Sequence, residues 1–128
     1  MVRRDTRTVG FDAEQLACQY LHRQGLTQVS RNFQSRLGEI DLIMQDKDCL
    51  VFVEVRYRAS NRFSRASLTV DIHKQRKLIR TAALFLAKRS QFASSVCRFD
   101  VVAIDADDQG EKTIEWISDA FRPADSRL

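Results

Sequence analysis

Two carboxylates in apolar company are the residues of this sequence best placed to do chemistry. Glu54 interrupts "LVFVEVRYR" (50–58), the most apolar run of the chain, and Asp41 interrupts "EIDLIM" (39–44). Both runs alternate with the period of a β-strand, so each acid falls where the pattern asks for an aliphatic side chain. An unpaired buried carboxylate is costly by several kcal/mol, so a pair of them needs a cation. Arg56 could serve, and so could a divalent metal ion. Read by itself, the Glu54–Arg56 spacing fits an internal salt bridge as well as it fits a reactive site.

The elements that must carry these acids follow from strand geometry. Along 49–58, Leu50, Phe52, Glu54, Arg56 and Arg58 share one face, and Val51, Val53, Val55 and Tyr57 the other. The first face begins apolar and ends charged, as in a strand that leaves a core and enters a cleft. In 39–44, alternation puts Glu39, Asp41 and Ile43 opposite Ile40, Leu42 and Met44. A hairpin across "QDKD" (45–48) brings Asp41 to the Glu54 end of the sheet. Glu14 lies at the margin of a helical stripe that starts at Phe11 and stops at Gly25; periodicity alone makes it a solvated flank residue.

A strand at 26–34 precedes the hairpin, and a helix over 70–89 follows it, with Ile72, Leu78, Ile79, Ala82, Phe85 and Leu86 facing inward. Strands at 97–105 and 112–118 complete an αβββαββ order, which predicts an α/β fold with a mixed central sheet. The 128 residues, 44% hydrophobic, suit one domain over 10–119, with a flexible N-terminus (1–9) and a C-terminal tail (120–128). The segment 59–68 ("ASNRFSRASL") lacks periodicity and reads as an exposed loop.

The formal net charge is +4, and the basic residues cluster. Lys74, Arg76, Lys77, Arg80 and Lys88 lie roughly opposite the apolar stripe of the second helix. Arg56, Arg58, Arg62 and Arg65 run from strand end into loop. Such a face is ordinarily just solvated, but contact with a phosphate backbone is the simplest use for a continuous strip. Gln75 falls inside the apolar stripe and wants a hydrogen-bond partner, for which the carboxylates are at hand. Cys18, Cys49 and Cys97 form no C-x-x-C pair and read as small buried thiols in a reducing cytosol. His22 and His73 lack metal-ligand spacing, which argues against zinc. With no signal peptide and no apolar run of membrane length, the expectation is a soluble, cytoplasmic protein without a membrane partner.

An acid in one strand followed by Glu-x-basic in the next resembles the PD-(D/E)-x-K nuclease signature. "GEIDLI" (38–43), "LVFVEVRYR", "KQRKL" (74–78) and "FDVVAI" (99–104) further resemble the YraN family of bacterial endonuclease-like proteins, over roughly residues 10 to 119. That resemblance implies a restriction-endonuclease-like domain, similar to archaeal Holliday-junction resolvases, and metal-dependent hydrolysis of DNA, branched or structured DNA included. It makes Asp41 and Glu54 the carboxylates for magnesium or manganese, with the Val55 carbonyl completing the coordination. It matches Glu14 to the acid of the first helix and Gln75 to a polar residue of the second. Position 56 departs from the signature, which has lysine there. Arginine keeps the charge but cannot act as a general base. A non-catalytic nucleic-acid-binding or recombination accessory module is the alternative. Cutting a junction symmetrically would require a homodimer, for which "EWISDAF" (115–121) is a candidate surface.

Overall fold

Alternating strands with apolar residues on both faces need a cover on each side, and the chain has a helix for each. The structure, a computed structural model, describes residues 6–58 and 70–123, with side chains from residue 13 onward. Helix α1 (Thr6–Arg23) leads to strands β1 (Thr27–Ser35), β2 (Gly38–Asp46) and β3 (Cys49–Arg58). Helix α2 (Ile72–Lys88), a 3₁₀ turn (Ser90–Phe92) and strands β4 (Val96–Ala106) and β5 (Lys112–Phe121) follow. The order is αβββαββ, as the periodicities predict. The five strands form one sheet in the order β1-β2-β3-β4-β5. Only β3 and β4 run parallel, and α2 lies in the long crossover that a parallel pair requires.

The helix ends are set locally. Gly25 adopts φ 103°, and the Leu26 and Gly25 amides donate back to the Leu21 and His22 carbonyls, both at 3.0 Å. This left-handed cap turns the chain into β1 and buries Leu21 against Leu26. Asp71 caps α2, its carboxylate accepting the Lys74 amide at 2.8 Å. Helix α1 begins ahead of its apolar stripe, because an anchored helix propagates cheaply into polar residues. Strand β5 runs beyond the expected boundary to Phe121, whose ring stacks on Phe99 at 4.9 Å.

Each face has its own core. Under α1, Ala13, Ala17 and Leu21 meet Leu42, Met44, Val51, Val53, Val102 and Ile104. Under α2, Leu78, Ala82 and Phe85 meet Ile43, Leu50, Phe52, Phe99 and Val101. Phe85 is fully buried and takes the rings of Phe33 and Phe52 edge-on, at 5.2 and 6.1 Å. Ile72 does not join this core: it is 53% exposed, and Val70, just ahead of the helix cap, is buried in its place. Three apolar residues of "EWISDAF" also turn inward, while Ala120 is exposed. Trp116 packs on the α1 side, and Ile117 and Phe121 on the α2 side. The three cysteines are free and half-buried rather than buried.

Gly38 lets β2 start directly beneath α2. Its φ of 155° lies outside what side chains favour, and an added Cβ would stand 3.0 Å from the Thr81 hydroxyl. That hydroxyl is buried and donates to the Lys77 carbonyl at 2.8 Å, so it cannot swing aside freely. Gly38→Ala is therefore expected to cost about 2 kcal/mol, read as a fall in the urea midpoint. An unchanged midpoint would mean that α2 shifts away at no cost.

Candidate functional site

The hairpin of β2 and β3 pairs from Asp46↔Cys49 as far as Leu42↔Val53, and there the ladder stops. Just beyond, a side chain takes over the work of the backbone: Asp41 Oδ2 accepts the Val55 amide at 2.8 Å. The strand is irregular at this point. Ile40 packs with Ile43 and Phe52 on the α2 side, whereas strict alternation had grouped it with Leu42 and Met44. Across the sheet edge, Asn32 falls between the Arg31↔Leu42 and Phe33↔Ile40 pairs and has φ 54°, a conformation that Asn tolerates better than most residues.

This break delivers Asp41 to α1. Glu14 lies beside Asp41 and is influenced by Asn32. Glu14, Glu39 and Asp41 each offer a carboxylate oxygen, all within 4.8 Å of one another. Glu39 was not among the candidates read from the sequence, although its place two residues before Asp41 on an alternating strand was the available signal. Glu54 lies on the other side of Asp41, at the α2 face, with its side chain 12% exposed.

The electrostatics are unfavourable to a bare cluster of anions. Burial, and then the Glu54 charge, push Asp41 up to about 8, with Glu14 and Glu39 adding to the rise and the Val55 amide opposing it. Burial also raises Glu14, against the pull of Asn32 and Arg31. Asp41 is therefore biased toward its protonated form.

A second buried carboxylate shows the opposite design. Asp100 is 1% exposed, yet it accepts the Trp116 indole N–H at 2.9 Å, the Asp119 amide at 2.9 Å and the Arg98 Nε at 3.1 Å. Arg98 continues to Asp46 at 3.1 Å. Asp100 is held by donors that include a guanidinium, whereas Asp41 accepts the Val55 amide and otherwise faces acids.

The remaining sequence candidates separate. Lys74, expected on a solvated face, instead sets its Nζ 3.6 Å from Glu54 Oε2, because the first turn of α2 lies beside the charged end of β3. Gln75 donates its side-chain amide to the Val70 carbonyl at 2.7 Å, a backbone partner in place of the expected carboxylate. The Asp71 cap has its pKa lowered chiefly by the Lys74 amide, with Arg56 a minor contributor. Arg58 pairs with Asp105, its register neighbour on β4, at 2.8 Å, so it serves the sheet as well as the basic strip. Val55 is seen to engage Asp41 through its amide. Arg76, Lys77 and Arg80 are exposed along α2. Arg62 and Arg65 lie outside the described residues.

Glu14, Glu39 and Asp41 converge with oxygen donors alone, a set that a hard divalent ion could use, and Glu54 is not part of that group. Fold and site together define a class: a mixed α/β domain with carboxylates gathered where a central hairpin parts. The chain belongs to the family described as "Uncharacterised protein family UPF0102", whose model matches residues 13–104. It is 48% identical over 116 residues to the UPF0102 protein of Coxiella burnetii strain RSA 493, covering 91% of this chain and 93% of the relative. Identity to the UPF0102 protein of Nitrosococcus oceani is 47% over 116 residues, with the same coverage of both chains. For that of Pseudomonas aeruginosa strain LESB58 it is 43% over 120 residues, 93% of this chain and 96% of the relative. Among the described residues, no helix is long and apolar enough to cross a membrane.

Proposed function

We propose that this protein is a metal-dependent endonuclease of the restriction-endonuclease-like class, hydrolysing phosphodiester bonds in DNA, with branched or structured DNA as the favoured substrate. The observation that carries the reading is Asp41: a buried carboxylate crowded by three others, with one backbone amide as compensation. A structural acid in this position would look like Asp100.

Asp41 and Glu54, with Glu14 and Glu39 adjacent, would hold magnesium or manganese, which would supply charge to polarise a phosphate and ease deprotonation of water. The chain's own residues would do the rest. Asp41 would give up its proton to bind the ion, with the Val55 amide holding Oδ2 in place. Arg56 carries fixed positive charge and moves no proton. Arg76, Lys77 and Arg80 suit the phosphates flanking the cut. In the reaction, water oxygen bonds to phosphorus, the bond from phosphorus to the leaving sugar oxygen breaks, and that oxygen takes a proton. A four-way junction cut on both strands takes two copies of the site.

The test is cleavage of labelled branched, flapped and linear DNA with magnesium or manganese, in wild type and Glu54→Gln. Wild type is expected to cut and the variant to lose on the order of 10³-fold. No cutting by either, with DNA binding intact, would favour the second reading: a nucleic-acid-binding accessory module. Arg56 at the lysine position is what supports that alternative.

A further inference from the structure

We infer that Lys74, from helix α2, provides the ammonium group of this site, a role for which the strand position holds Arg56 instead. The inference rests on the nuclease reading above and adds to it a residue that reaches the site from a different element.

Two observations carry it. Lys74 Nζ lies 3.6 Å from Glu54 Oε2, and the two side chains differ in access, 43% exposed for the lysine against 12% for the acid. The ammonium is therefore the more open member of the pair, on the α2 side of Glu54. Second, its base is fixed. Asp71 accepts the Lys74 amide at 2.8 Å, the Gln75 amide donates to the Asp71 carbonyl at 2.9 Å, and the Gln75 side chain donates to the Val70 carbonyl at 2.7 Å. A first helical turn locked at three points holds the Lys74 Cα steady while its four-carbon stem remains free to move.

The chemistry suits lysine at this place. An ammonium is a compact point charge on a flexible stem, able to turn from one anion to another. Without metal it rests on Glu54 and offsets part of the crowding. With metal at Glu54 it is displaced, and a phosphate oxygen is the next anion within its reach. Lys74 and the metal ion therefore compete for Glu54 before substrate arrives, and act together on the phosphate afterwards.

That competition gives a readout independent of activity. Manganese binding alone, followed by the loss of the free-ion electron paramagnetic resonance signal, is measured for wild type, Lys74→Gln, Lys74→Arg and Arg56→Gln, beside DNA cleavage at saturating manganese. Lys74→Gln is expected to bind manganese roughly two- to fivefold more tightly, the worth of one partly exposed ion pair, and to cut about 100-fold more slowly. Lys74→Arg keeps the charge and is expected to fall between the two. Arg56→Gln is expected to lose about tenfold or less in cleavage, with manganese affinity unchanged. Should Lys74→Gln cut as wild type does, or bind manganese more weakly, the inference is overturned while the nuclease reading stands. Wild type that neither binds manganese nor cuts overturns both.

Discussion

Asp41→Asn is expected to yield a protein that is better folded at pH 8 than the wild type and inert toward DNA. Burial and the Glu54 charge hold the Asp41 pKa near 8, against 3.8 for an ordinary Asp. Between those values the native state keeps a proton that the unfolded chain has released. Stability of the metal-free protein therefore falls as pH rises through that window; the contribution is complete below about pH 4 and lost above about pH 8. Asparagine can still accept the Val55 amide through Oδ1 but carries no charge to bury. The variant should lose the pH slope and gain about 2 kcal/mol at pH 8. Manganese should restore wild type at that pH and leave the variant unmoved, because a ligand stabilises only the fold that binds it. Cleavage should drop on the order of 10³-fold with the loss of a ligand. Urea midpoints at pH 5, 7 and 8.5, taken in chelator and then in manganese, measure all of this. A wild-type midpoint flat across that range would mean that the acids are solvated and the site is not primed for a cation.

Asp100→Ala should do the reverse, wrecking the fold without touching the acidic cluster. The substitution strands the Trp116 indole N–H, the Asp119 amide and one arm of Arg98 in the interior. Breaking a buried charged network by removing one partner costs about 3–5 kcal/mol, a large part of the stability of a domain this size. Asp100→Asn offers little relief, since its amide nitrogen points a donor at other donors. Trp116 is the only tryptophan of the chain, so its fluorescence reports directly on the site of damage during denaturation. A loss below about 1 kcal/mol would show that water replaces the carboxylate there.

The contrast between these two acids marks how much the sequence could convey. Alternation correctly sorted β3, with Leu50 and Phe52 under α2 and Val51 and Val53 under α1, because its ladder is unbroken along that stretch. The same rule misplaced Ile40, since the strand kinks where the Asp41 side chain replaces a backbone acceptor, and no local pattern announces such a substitution. The helical wheel gave Leu78, Ala82 and Phe85 but misjudged the first turn of α2, where Ile72 overhangs the core and Lys74 overhangs Glu54. A wheel describes a helix without its neighbours. Arg58 was likewise opaque: its partner Asp105 is fixed by the parallel register of β3 on β4, two strands far apart in the chain. Periodicity alone made Glu14 a solvated flank residue, and the structure places it beside Asp41.

The sheet order carries a consequence for how the chain comes into being. Every carboxylate of the cluster lies between residues 14 and 54, whereas the strand that covers one edge of β3 spans Val96–Ala106. During synthesis the acids are complete while β3, with its apolar first half, still has an open row of amides and carbonyls along that edge. An unpaired apolar edge of this kind is a template for other chains. Products that stop short of β4 would therefore carry all the acidic ligands and still be hazardous to the cell, as seeds of aggregation rather than as stray nucleases.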